Sequence, residues 1–314
     1  MKAIILNAPG GTDQFSFQDI AIPQPRSNEV LVQVHAISVN PVDIKTRKGG
    51  SLYNTLKEQP PVILGWDISG VVTAVGSNVQ RFKAGDAVFG MVNFPGHGKA
   101  YTEYVAAPEA HLALKPGVLS HSEAAAACLA ALTAWQVLVH EAAIKSTDKI
   151  LIHAAAGGVG HYAVQIARHF GAIIAGTASA ANTSFLQELG VQQPLDYTQQ
   201  DFYESLKDMD VVLDPIGGEI TARSLQVLKP EGILVSIVGG VKENLQKTIL
   251  EKKLHAKNYL VHSSGSDMEQ LAPLLKQGII KSYISKEFSF EQIAEAHHQI
   301  ETGKTRSKII IKLI

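Results

Sequence analysis

Ala155-Ala-Gly157-Gly158-Val159-Gly160 is the stretch whose residue types and spacing point most directly to chemistry. Its glycines leave backbone N–H groups open to close approach by an anion. A pyrophosphate can sit on such a turn at the positive end of the helix that follows, so the pattern reads as dinucleotide binding. Ala155 stands where the pattern has its first glycine, so context must support the match. It does. Lys149-Ile-Leu-Ile is an apolar run suited to a buried strand, and Val164, Ile166, Ala167 and Phe170 recur at helical spacing until Gly171. Ala155, Ala156, Gly157, Gly158 and Val159 are therefore the candidate phosphate cradle.

The choice of dinucleotide follows from what is missing. An unphosphorylated ribose is usually held by Asp or Glu roughly 20 residues past the glycines. Here the second strand ends Gly176-Thr-Ala-Ser-Ala-Ala-Asn-Thr183, and the first acid, Glu188, already lies in the next helix. A 2′-phosphate meets no repulsion there, which favours NADPH, although no Lys or Arg falls between His169 and Leu206 to clamp it. Val238 and Gly239 follow the last strand of the alternating series and join the candidate cofactor residues, because ligands bind at the carboxyl ends of such sheets.

Other constellations carry less. Tyr53–Lys57 and Tyr203–Lys207 match a Tyr-x-x-x-Lys proton-transfer pattern, but neither stands where short-chain reductases place it relative to the glycines. Twelve histidines invite a metal reading, yet His153, His161 and His169 fall on a strand end, a turn and a helix, and His297-His298 point in different directions. The lone cysteine, Cys128, sits in an alanine-rich helix and excludes an internal disulfide.

The elements that must position these residues fall into three segments. Residues 1–121 read as a β-rich unit with strands at Lys2–Leu6, Glu29–Ala36, Ser69–Val75, Ala87–Met91 and Thr102–Ala106. Residues 122–256 open with an alanine-rich helix and then alternate strand and helix, which implies a doubly wound parallel sheet. Residues 257–314 are expected to return to the first unit, because Lys308–Ile314 is too apolar to stand alone as a strand. A catalytic cleft is expected between the two units.

Composition agrees with an enzyme acting on a small molecule. The chain has 314 residues, is 46% hydrophobic and 18% charged, and carries a formal net charge of −1. That charge gives no reason to expect nucleic acid or an anionic membrane as partner. No run approaching the roughly 18 apolar residues of a membrane span is expected, and a cytoplasmic location is the default.

Four strings, Val39-Asn-Pro-Val-Asp-Ile-Lys45, Gly65-Trp-Asp-Ile-Ser-Gly-Val-Val72, Phe82-Lys-Ala-Gly-Asp-Ala-Val88 and Ala154–Gly160, resemble the medium-chain dehydrogenase/reductase superfamily. The match is closest to its zinc-independent quinone oxidoreductase and enone reductase branch, which includes the zeta-crystallins. The resemblance implies a Rossmann-type sheet plus a β-rich GroES-like catalytic domain, and a homodimer. It also implies Asn40, Asp43, Tyr53 and Thr133 as catalytic residues, with Ser179, Asn182 and Tyr197 as donors to the 2′-phosphate. Asn40 would also suit a turn before Pro41, and Asp43 a cap. Where zinc alcohol dehydrogenases hold their catalytic metal, this chain has Asn40, Trp66 and Leu129, so no metal is expected. The reading is hydride transfer from NADPH to a quinone or α,β-unsaturated carbonyl. A cofactor-binding protein of structural or regulatory role is the alternative.

Overall fold

The computed structural model describes all 314 residues. They form two units, Met1–Leu132 with His262–Ile314, and Thr133–Val261. The expected boundaries at 121 and 256 both move. The helix His121–Trp135 starts where expected, but Ala125 and Ala126 pack with Ala36 and Ile310, so its first turns belong to the β-rich unit. At the other junction a further strand, His255–Asn258, still pairs with Leu228–Ser236 and carries the second unit past residue 256.

The second unit is a six-stranded parallel sheet. Its order is Gln193–Asp196, Ile173–Ala178, Lys149–Ile152, Met209–Asp214, Leu228–Ser236 and His255–Asn258. The order reverses beside Lys149–Ile152, the strand that feeds the glycine turn, and the carboxyl ends there are where such sheets bind ligands. At the centre of the sheet Ile150–Ile152 and Val211–Leu213 are short apolar runs, all buried, as strands covered on both faces must be. Leu151, Ala175, Leu195, Val212 and Leu234 meet Phe202, Leu206, Ile249 and Leu254 in one buried cluster. The helices Phe202–Ser205 and Glu219–Ser224 are shorter than the 200–207 and 218–228 that the residue pattern predicts, and Leu228–Ser236 begins ahead of the strand predicted at 232–238.

The first unit holds a seven-stranded sheet centred on Glu29–Val39, which pairs with Asp67–Val75, Tyr104–Pro108 and Lys308–Lys312. Three strands were not anticipated: Phe15–Asp19, Leu112–Leu114 and Ile284–Ser289. The first and last are largely exposed and carry little apolar periodicity. The returning strand sets the register that matters most. Ile309 lies opposite Val39 and Ile310 opposite Ser38, so Lys308 arrives beside Asn40.

The membrane expectation needs correcting on composition. His121–Glu141 runs for 21 residues and contains an 18-residue stretch of mean hydropathy 1.4, long and apolar enough to cross a bilayer. Most of that stretch is buried inside the protein, which accounts for its hydropathy. Its last turns, Gln136–Glu141, relax into a π-helix directly after Thr133-Ala-Trp.

Candidate active site and cofactor cradle

The strand Lys149–Ile152 delivers the chain into a tight turn at residues 153–159, and the helix Gly160–His169 leaves it. Gly160 cannot carry a side chain: a Cβ there would lie 2.2 Å from the Ala154 carbonyl oxygen and 2.7 Å from the Ala155 Cα. Ala155 replaces the expected glycine without cost because Gly176, on the neighbouring strand, leaves room for its methyl. The amides of Ala156, Gly158 and Val159 have no intramolecular partner, whereas those of Ala155 and Gly157 bond to Thr177 and Ala154. Three open amides at the start of a ten-residue helix suit a pyrophosphate, and the residues present fit a dinucleotide.

A buried network holds this turn, and the sequence reading did not find it. The Ser224 hydroxyl donates to the Ile220 carbonyl at 2.7 Å, so His153 Nε2–H must donate to Ser224 Oγ, at 2.9 Å. His153 Nδ1 then accepts from the Thr177 hydroxyl at 3.1 Å, and Thr177 Oγ1 accepts the Ala154 amide at 3.2 Å. Burial pushes His153 down to about 4, against the opposing pull of Asp214, so the ring is a neutral spacer with both nitrogens already hydrogen-bonded to Thr177 and Ser224. Asp214 Oδ1 accepts the amides of Ile216 and Gly217 at 2.8 and 2.9 Å, and Ser236 Oγ accepts that of Gly240 at 2.9 Å. Both residues end buried apolar strands. A polar residue closing such a run was the signal available in the sequence.

The expected cofactor residues gather at the carboxyl edge of the sheet. Ser179 and Asn182 follow Ile173–Ala178, with the Asn182 amide donating to Ser179 Oγ at 3.1 Å. Tyr197 follows the adjacent strand, bonds by its amide to the Ala178 carbonyl and is 63% exposed. Val238 is exposed, and Gly239, at φ +77°, has open space where a Cβ would stand.

In the first unit the expected catalytic residues part company. Asn40 caps the helix Pro41–Arg47 and is 1% exposed. Its amide nitrogen donates to the Ser38 carbonyl at 3.2 Å and to Asp67 Oδ2 at 2.8 Å, while its oxygen accepts from the Lys308 ammonium. The Asn40 side chain is thus committed within the protein. Asp43 accepts the Asn40 backbone amide at 2.7 Å, the capping role that its position allowed. Asp67 Oδ1 accepts the Leu129 amide at 2.8 Å, which ties the long helix to the same cluster. Trp66 turns away, its indole N–H on the Gly96 carbonyl at 2.7 Å. Tyr53 starts a separate short helix, half-buried, and shares no hydrogen bond with Asn40 or Asp43. Thr133 is buried on the long helix. Nowhere are three His, Cys, Asp or Glu side chains grouped to hold a metal ion.

Lys308, Asn40, Asp67 and Asp43 form a buried cluster in which charge is rationed. Burial pushes Asp43 up to about 8, with Asp67 adding to the rise and the amides of Asn40 and Gly65 opposing it. Burial also raises Asp67, to about 6, against the ammonium of Lys308. Cys128 bonds to the Ala124 carbonyl at 3.3 Å, and burial pushes its thiol well above the ordinary value, so it is no nucleophile.

The raised Asp43 has a sign that can be tested. Its carboxyl is protonated more readily in the folded than in the unfolded protein, so its contribution is full below about 3.8 and lost as pH rises through about 8. Asp43→Asn keeps an acceptor for the Asn40 amide and removes the titration. The decline in urea stability of the wild type from pH 5 to 8.5 should therefore be flatter in the variant. Parallel profiles would refute the assignment.

A family model described as an alcohol dehydrogenase GroES-like domain matches residues 26–117, and one described as a zinc-binding dehydrogenase matches residues 189–311. A 2-methylene-furan-3-one reductase from Solanum lycopersicum is 34% identical over 99% of this chain and 79% of its own. The quinone oxidoreductase of Coxiella burnetii superposes with a TM-score of 0.94 at 35% identity, covering 100% of this chain and 99% of that one. The Escherichia coli quinone oxidoreductase, solved as a complex with NADPH, superposes at 0.88 with 27% identity over the full length of both. On this similarity, and on the two-unit architecture just described, the chain belongs to the quinone oxidoreductase branch of the medium-chain dehydrogenase/reductase superfamily.

Proposed function

We propose that the protein is an NADPH-dependent reductase of quinones or α,β-unsaturated carbonyls that works without a metal. The observation that carries this reading is the composition of the cluster at Asn40. Where zinc relatives supply thiolate and imidazole, this chain supplies an amide already bonded to Lys308 and Asp67, an indole turned away and an aliphatic side chain. Such a set offers a divalent ion no ligands of the kind zinc takes. An acceptor already polarised by conjugation needs only modest help at oxygen, whereas a simple alcohol would call for a Lewis acid.

The bound nicotinamide supplies the hydride. The open amides of Ala156, Gly158 and Val159 hold its pyrophosphate, and Ser179, Asn182 and Tyr197 donate to the 2′-phosphate. Asn40 and Asp43 fix the frame of the catalytic unit. Tyr53 is the proposed donor to the acceptor oxygen, since its hydroxyl is not drawn into that frame, and Thr133 is the proposed contact to the nicotinamide.

The test is NADPH oxidation against a panel of quinones, enones and saturated alcohols, before and after dialysis against a strong chelator. Turnover with quinone or enone, unchanged by the chelator, is the expected result. Stoichiometric metal in the active protein would overturn the metal-free reading, and cofactor bound without turnover of any acceptor would favour a binding role. Ser179→Asp places a charge against the 2′-phosphate and should reverse the preference for NADPH over NADH. A variant that still prefers NADPH would move the phosphate away from Ser179.

A further inference from the structure

The carboxyl edge that holds Ser179, Asn182 and Tyr197 also holds an acid. Asp196 ends the strand Gln193–Asp196 in register with Ala178, so it sits one strand over from the start of the Ser179–Asn182 loop. Adjacent strands lie roughly 4.8 Å apart. The Asp196 carboxylate is pinned there: its Oδ1 accepts the Thr198 amide at 3.0 Å and the Thr198 hydroxyl at 2.8 Å. Its Oδ2 is shielded from solvent and has no hydrogen-bond partner.

No cation answers this charge. The chain has no Lys or Arg from His169 to Leu206. Arg168 donates to the Leu189 carbonyl, and Arg223 is engaged by Asp201 and Glu219. Thr198, with the Ala180 amide and the Gln199 side chain further off, holds Asp196 below the usual carboxylate range against a small opposing effect of burial, so it is ionised throughout the neutral range. The Ala180 amide lies inside the loop between Ser179 and Asn182, which brings the carboxylate to the place proposed for the 2′-phosphate. Hydroxyl and amide donors there attract a phosphate, and the one fixed formal charge repels it.

We propose that Asp196 is a discriminating residue for the cofactor: its carboxylate opposes the 2′-phosphate and keeps the preference for NADPH over NADH small. This rests on the NADPH reading above and deepens it. Removing its charge should therefore change the ratio of the two cofactors.

The wild-type protein alone gives the first test. Binding of 2′,5′-ADP and of 5′-AMP is measured by calorimetry across a range of salt. A site dominated by repulsion binds 2′,5′-ADP more tightly, relative to 5′-AMP, as salt screens the carboxylate. A cationic clamp would do the reverse, and a falling ratio would overturn the proposal. In the second test, Asp196→Asn retains the acceptor for Thr198 and loses the charge. Its ratio of kcat/KM for NADPH over NADH should rise roughly three- to tenfold at low salt, with the gain shrinking as salt is added. If Ser179→Ala and Tyr197→Phe each cost NADPH but Asp196→Asn leaves the ratio unchanged, the discriminating role falls and the NADPH reading stands. If the wild type prefers NADH while Asp196→Asn still raises the ratio, the discriminating role stands and the NADPH reading falls.

Discussion

Lys308→Met is expected to destabilise the β-rich unit by about 3–5 kcal/mol, the cost of stranding a buried carboxylate. Lys308 is 3% exposed, donates to Asn40 Oδ1 and provides the only ammonium set against Asp67 and Asp43. Methionine fills a similar volume, so a cavity does not account for the loss. Asp67 would be left with amide donors and no opposing charge. Urea unfolding followed by a probe in the first unit reads the effect, and a loss below about 1 kcal/mol would show that the cluster is not held by charge. The double variant Lys308→Met with Asp67→Asn separates charge from shape. It should recover part of the stability, because it removes both members of the pair together.

Gly160→Ala is expected to abolish most cofactor-dependent turnover, by roughly 10²-fold or more, since it must displace the turn by about 1 Å. The new Cβ would meet the Ala154 carbonyl oxygen at 2.2 Å, and backbone must move to admit it. That movement also pulls on the Ala154 amide held by Thr177, so some stability goes with the activity. Gly157→Ala supplies the contrast. Its Cβ would stand 3.1 Å from the same oxygen, a contact that a small adjustment absorbs. Gly157→Ala should therefore weaken cofactor binding while leaving thermal stability near wild type. Equal stability losses in both variants would mean that the turn is only a structural joint.

The parts of this protein that follow local periodicity were readable in the residues. The apolar run at Lys149, the glycines after it and the helical spacing through Phe170 together specify strand, turn and helix, and the structure has all three. The return of the C-terminal segment was readable too, because Lys308-Ile-Ile-Ile-Lys cannot stand in water as an isolated strand. What escaped was long-range pairing of polar groups. Nothing near Asn40 in the sequence announces Lys308, 268 residues away, so an amide that looked free to meet an acceptor is already engaged. Asp196 escaped for a related reason. An acid on the ribose is expected at the end of the second strand, whereas in a parallel sheet the neighbouring strand's end shares the same edge. The strands Phe15–Asp19 and Ile284–Ser289 were missed because, lying largely in solvent, they show little alternation.

The lateness of Lys308 also bears on how the chain matures as it is made. Thr133–Val261 is one uninterrupted stretch, and every strand of its sheet comes from within it. It can settle as soon as it leaves the ribosome. Residues 1–132 emerge earlier yet must wait, because the strand that flanks Glu29–Val39 and the cation that balances Asp67 are translated after that whole stretch. At roughly 5–20 residues per second the delay lasts on the order of ten seconds. During that interval Asp67 and Asn40 lack their cation and the Ala36–Val39 end of the central strand lacks its neighbour, an open edge of the kind that chaperones cover.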